Sequence, residues 1–100
     1  MTVATPTQPT QTRPGQPVVE LTVRYFAAAR AAAGVDEQTV RVPAGATVQE
    51  LADQLARGSA ELSRVLPRCS YLCDGVAVRD TAQPLHPGQT VDVLPPFAGG

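Results

Sequence analysis

One hundred residues allow one small domain with a thin core and little stability to spare. Hydrophobic residues make up 43% of the chain, too many for wholesale disorder, and a formal net charge of −1 offers no basic field to gather nucleic acid or anionic lipid. A core this small leaves little room for an internal catalytic cavity, which favours a carrier, a binding module or one subunit of a larger machine over a self-contained enzyme.

Residues 1–17, MTVATPTQPTQTRPGQP, lack periodicity and large apolar groups. Proline blocks regular hydrogen bonding and the remainder buries too little surface to offset ordering entropy, so a disordered tail is expected, followed by a folded domain over 18–94. VVELTVRYF (18–26) alternates, with Val19, Leu21, Val23 and Tyr25 on one face and Glu20, Thr22 and Arg24 on the other, the pattern of a half-buried strand. AAARAAAG (27–34) predicts a short helix closed by Gly34, because alanine is the best helix former and glycine a natural stop. EQTVRVP (37–43) predicts a second strand with Val40 and Val42 inward, closed by Pro43 and Gly45.

TVQELADQLARG (47–58) carries the clearest helix. Thr47 and Glu50 have the spacing of a capping box, Val48, Leu51, Ala52 and Leu55 form one apolar stripe, and Gly58 ends it. AELSRVLP (60–67) predicts one or two more helical turns, stopped by Pro67. SYLC (70–73) and VAVR (76–79) flank Asp74-Gly75, a hairpin signal. Pro87-Gly88 suits a tight turn, and QTVDVL (89–94) alternates again with Val91 and Val93 inward. The expected order is β-α-β-α-β-β-β: an α+β domain with a small mixed sheet over one main amphipathic helix.

Most chemical signatures are missing. The single histidine, His86, falls in a turn and reads as solvated. Cys69 and Cys73 share a face in an extended segment, but two thiols without further Cys or His make no zinc site, and they read as small buried hydrophobes. No glycine-rich phosphate loop follows a strand, and the carboxylates are scattered as on a solvated surface. No run is apolar enough to span a membrane and no signal peptide opens the chain, so cytoplasm is the expected compartment and both thiols are expected reduced. All eight basic residues are Arg, which a GC-rich codon bias explains; a protein with an activated carboxyl end would also profit from lacking lysine amines to attack it.

What remains is the ending, LPPFAGG (94–100). Pro95 and Pro96 stop the sheet and keep the chain extended, so 95–100 read as an extended tail. From Phe97 to Gly100 such a chain reaches roughly 13 Å. Gly99 and Gly100 lack Cβ atoms and can pass a channel too narrow for side chains. The Gly100 carboxylate on such a wand could enter another protein's active site and be activated there; an ordinary flexible tail is the other reading.

VDVLPPFAGG, the segment YFAAARAAAG with Phe26, Ala27 and Arg30, and the glycine turn LHPGQ before the last strand together make residues 18–100 resemble the ubiquitin-like β-grasp sulfur carriers, above all the small subunits of molybdopterin synthases. The resemblance implies a ubiquitin-like β-grasp domain over 18–94. It also implies a sulfur cycle: an ATP-dependent adenylating enzyme of the ubiquitin-activating type acts on Gly100, a sulfurtransferase system converts the adenylate to a thiocarboxylate, and the large synthase subunit receives the sulfur. The chain itself would bind no cofactor, the ATP being consumed by the activating partner, and it would not be catalytic alone. Phe26, Arg30, Leu94 and Phe97 are implied to form the docking surface; Phe26 and Leu94 could equally be core residues. Other carriers, for thiamine or cysteine synthesis, a protein-modifying tag, and a structural β-grasp adaptor with an inert tail are the alternatives, although the helix after the first strand departs from the shorter thiamine type.

Overall fold

The computed structural model describes residues 17–96, so Phe97, Gly99, Gly100 and all but the last residue of the expected N-terminal tail lie outside the described residues. Strand β1 (Val18–Tyr25) buries Leu21, Val23 and Tyr25 while Glu20 and Arg24 stay exposed, as the alternation requires. Helix α1 (Ala27–Ala33) ends at Gly34, whose left-handed φ of 80° lets its N–H return to the Arg30 carbonyl. Strand β2 (Glu37–Pro43) pairs antiparallel with β1 and turns Val42 into the core.

Helix α2 (Val48–Arg57) carries the expected capping box: the Glu50 amide donates to Thr47 Oγ1 at 3.1 Å, and the Thr47 amide donates to Glu50 Oε1 at 2.9 Å. Two orphan first-turn donors are thereby satisfied, a contribution of about 1 kcal/mol. Val48, Leu51, Ala52 and Leu55 form its buried stripe. Helix α3 (Ala60–Val65) follows, capped by Ser59. Pro67 follows directly on the end of the α-helix at Val65 and its cap at Leu66, as the sequence suggests. It sits inside a 3₁₀ turn (Leu66–Arg68), because the early positions of a helical turn have no obligatory N–H partner for proline to forfeit.

Strands β3 (Ser70–Cys73) and β4 (Val76–Ala77) form the expected hairpin, with φ positive at both Asp74 (48°) and Gly75 (83°), the mark of a type I′ turn. β4 is shorter than the four residues expected. The chain beyond it is recruited elsewhere: the Gln83 and Thr81 carbonyls accept the first amides of α2, from Val48 (3.0 Å) and Gln49 (2.9 Å). The same excursion buries Leu85, which hydrogen-bonds Ala46. Strand β5 (Thr90–Leu94) then runs through the middle of the sheet.

The five strands take the order β2-β1-β5-β3-β4, with β1 and β5 parallel and the other pairs antiparallel. One face carries the core: Val23, Val48, Val91 and Val93 are fully buried, with Leu21, Leu51, Leu62, Leu66 and Tyr71 around them. Each such valine or leucine side chain contributes roughly 1.5–3 kcal/mol. This is the ubiquitin-like α+β arrangement expected, and no helix among the described residues is long and apolar enough to cross a membrane.

Two buried phenols set an alkaline limit on stability. Burial pushes the Tyr71 hydroxyl from its ordinary 10.0 up to about 12, and it also raises that of Tyr25, whose buried oxygen has no hydrogen-bond partner among the described residues. Both ionise more readily in the unfolded chain, so their contribution is complete below pH 10.0; that of Tyr71 is lost as pH climbs toward about 12, and that of Tyr25 is lost above 10.0. Absorbance titration of the phenolates alongside circular dichroism should show ionisation and unfolding together in that window. Tyrosines that titrate near 10.0 in a still-folded protein would refute the assignment.

Candidate functional site

The C-terminal end of β5 leaves the middle of the sheet, not an edge. Leu94 lies opposite Ser70 of β3, while Tyr25 of the parallel β1 lies beside Val93. The ladder gains one more bond, from the Phe26 amide to the Val93 carbonyl at 3.2 Å. Phe26 is therefore held alongside the last residues of β5, just before Pro95 and Pro96 carry the chain away. Neither proline can donate a ladder hydrogen bond, so among the described residues the pairing of β5 ends at Leu94.

The strand registers place Arg24, Asp92, Leu72 and Ala77 in one row across the face opposite the helices, with Leu94 and Ser70 in the next. Phe26 follows Tyr25, which is inward, and so turns toward this outer face. Phe26, Leu72 and Leu94 are half-buried. The result is an apolar ridge crossed by one ion pair, next to the tail exit. A ridge of this kind suits reversible docking, where aromatic and aliphatic anchors desolvate and a charge sets register.

Of the residues implied by the resemblance, the structure brings Phe26 and Leu94 together. Neither belongs to the closed core. Arg30 sits on α1, exposed, with a 3.4 Å contact to Asp36, itself exposed; such a pair holds the side chain only weakly. Phe97, Gly99 and Gly100 fall outside the described residues.

The structure corrects the view of the carboxylates as a solvated set. Asp92 is only 5% exposed although it points away from the core. Arg24 grips it from β1 with a side-on fork, Nε to Oδ1 at 2.7 Å and Nη2 to Oδ2 at 2.9 Å. The carboxylate raises the Arg24 guanidinium pKa above its ordinary value, first through these hydrogen bonds and then through its charge. Arg24 also lies 5.6 Å from the centre of the Phe26 ring, within cation–π range. Neither Arg24 nor Asp92 was marked as functional by the sequence. Their outward positions in two strands were the available signal, but the adjacency of those strands was not.

Immediately after Phe26, Ala27 adopts a φ of 51°. A Cβ residue in the left-handed region costs about 1–2 kcal/mol, so the turn that sets Phe26 on the outer face is strained. The two thiols are not part of this face in a reactive sense. Cys73 is buried, and Cys69 donates its Sγ–H to the Val65 carbonyl at 3.3 Å; burial raises both pKa values above the usual thiol range. Among the described residues no group of three or more His, Cys, Asp or Glu is arranged to hold a metal ion.

With this geometry in view, the comparisons with known proteins converge. The ThiS family model matches residues 23–100. The molybdopterin synthase sulfur carrier subunit of Chlamydomonas reinhardtii is 32% identical over 83 residues, spanning 82% of this chain and 100% of that protein. Among solved structures, a Pyrococcus furiosus protein described as molybdopterin converting factor subunit 1 superposes with a TM-score of 0.72 at 28% identity, covering 79% of this chain and 99% of its own. SAMP1 of Haloferax volcanii gives a TM-score of 0.71 at 26% identity, covering 81% and 99%. A chain from a Helicobacter pylori complex of subunits 1 and 2 of molybdopterin-converting factor shares the fold at 20% identity, with a TM-score of 0.62 over 82% of this chain and 100% of that one.

Proposed function

Because this chain belongs to the ThiS family, we propose that it is the sulfur-carrying small subunit of a molybdopterin synthase, acting through the carboxylate of Gly100. The observation that carries the reading is the 32% identity to a molybdopterin synthase sulfur carrier over the whole of that relative, together with a family match that runs through Gly100 itself.

The chemistry follows from what a carboxylate lacks. Its charge is delocalised and its oxide is a poor leaving group, so it does not transfer as an acyl group unaided. In the proposed cycle an adenylating enzyme of the ubiquitin-activating type directs a Gly100 oxygen onto the α-phosphorus of ATP, and pyrophosphate leaves. A hydrosulfide equivalent, delivered by a sulfurtransferase, then attacks the acyl carbon and expels AMP, leaving a terminal thiocarboxylate. That group stays ionised near neutral pH and holds a soft, nucleophilic sulfur that cannot diffuse away. Docking on the large synthase subunit brings the sulfur to the pyranopterin precursor. There the sulfur bonds to a precursor carbon as an oxygen substituent leaves it; water then cleaves the acyl–sulfur bond, the sulfur stays on the precursor, and Gly100 returns as a carboxylate. Two such deliveries supply the two dithiolene sulfurs. The carrier's own contribution is tethering and placement, which raise local concentration by orders of magnitude. ATP is used by the activating enzyme, and this chain needs no cofactor of its own.

The ridge of Phe26, Leu72 and Leu94 supports this reading as the docking face, because it adjoins the strand end from which the tail departs. A partner bound there receives residues 95–100 at the interface. Arg30, on the helix that Phe26 opens, would add a charged contact at the margin, and Phe97 would add an apolar one along the tail.

A second reading, a protein-modifying tag, is favoured by the likeness to SAMP1, whose relative from Methanosarcina acetivorans is described as a small archaeal modifier protein. Intact-mass spectrometry of the protein from its native host separates the two. The carrier shows the mass gain of one oxygen exchanged for sulfur at Gly100, lost on hydrolysis, and captures the large synthase subunit. A tag shows Gly100 in amide linkage to lysines of other proteins. A chain found only unmodified, under conditions where the host makes the cofactor, would overturn both.

A further inference from the structure

We propose that Arg24 and Asp92 act together as a positioning device for the docking face: the ion pair fixes the Phe26 ring in its docking orientation and ties it to β5 two residues ahead of Leu94. The inference rests on the docking role of Phe26 and Leu94 proposed above. Three observations converge on one aromatic ring. Its backbone is pinned to β5 through the Val93 carbonyl. The residue after it is held in a left-handed turn. Arg24 lies against its face at 5.6 Å.

Arg24 is suited to this task and lysine is not. A guanidinium is planar and rigid, so its fork can grip Asp92 edge-on while its flat face remains available to a ring. Both bonds to Asp92 are short, 2.7 and 2.9 Å, and Asp92 is nearly closed off from water while the Arg24 side chain is 47% exposed. The pair therefore has a fixed end on β5 and an open end facing the ridge. An ordinary surface bridge, such as Arg41 to Glu20 at 3.3 Å between two exposed side chains, has neither property. An anchor already held in its bound orientation loses less freedom on docking, which raises affinity without adding a contact.

The test combines ring dynamics in the free carrier with binding to the large subunit of molybdopterin synthase. Arg24→Lys keeps the charge and removes the fork. Since a lone substitution could leave Asp92 buried and unpaired, Arg24→Val/Asp92→Val removes both charges with strand-compatible residues too short to reach the ring. We expect NMR relaxation to show the Phe26 ring losing order in both variants, with the double-valine variant melting close to wild type. Affinity for the large subunit should fall about tenfold. The triple variant that adds Phe26→Ala to the double-valine change should bind no worse than Phe26→Ala alone, because the device acts only through that ring. Unchanged ring order, or fully additive losses, would overturn the proposal. If wild type fails to bind the large subunit, the function proposed above falls, and the ring measurement on the free carrier still decides this inference.

Discussion

Adding one tryptophan after Gly100 is expected to abolish thiocarboxylate formation while leaving the melting temperature where it was. The core closes at Val93, which is fully buried, and pairing ends at Leu94. An added residue falls seven places past the last paired strand position, outside the segments that build the described core. It does move the terminal carboxylate onto a residue with a large side chain, one step beyond its working position. Reactions that depend on holding an acyl carbon against an activated phosphate tolerate such displacement poorly, and a loss of ~10³-fold or more is expected. Gly99→Val probes the same path without altering the terminus; its Cβ and branches should cost about 10²-fold in adenylation if the channel admits only glycine. The measurement is intact mass after incubation with the adenylating enzyme, ATP and a sulfur donor. Sulfur loading of the extended chain at the wild-type rate would mean that Gly100 is not the reacting group.

How much of this was legible in the sequence depended on the range of the interactions. Elements set by local patterning came through: the alternation of β1, the Thr47–Glu50 box on α2 and the Asp74-Gly75 turn all appear where the residues placed them. What was hidden depended on neighbours far along the chain. Asp92 reads as solvated because alternation turns it outward, and outward in a half-buried strand ordinarily means water. It is dry because β5 lies between β1 and β3, so that Arg24, 68 residues away, and Leu72 close over it. Leu85 was missed for a related reason. It belongs to no periodic segment and is buried because residues 81–83 turn in to satisfy the first amides of α2. For the proposed docking face, Phe26 and Leu94 came from family likeness and the strand registers set them side by side, whereas Leu72, Ala77 and the ion pair needed the strand order.

That strand order makes Leu94→Glu the most informative single substitution on the face. Leu94 is the last residue of β5, half-buried, with Ser70 as its cross-strand partner, so a longer polar side chain there can bend into water in the free carrier. The melting temperature should fall only slightly. In the complex the same carboxylate would sit at the foot of the tail, on the ridge beside Phe26 and on the same face as Asp92, which already holds Arg24 through Nε and Nη2. A desolvated carboxylate without a partner at the centre of an interface costs several kcal/mol, so affinity for the large subunit should drop about 100-fold or more. Arg57→Glu serves as the control, because it alters charge at the far end of α2, beside Gln54 and away from the tail exit, and binding should stay within about twofold. Titration calorimetry of both variants decides the matter: a Leu94→Glu carrier that binds as wild type does would place the docking face elsewhere on the molecule.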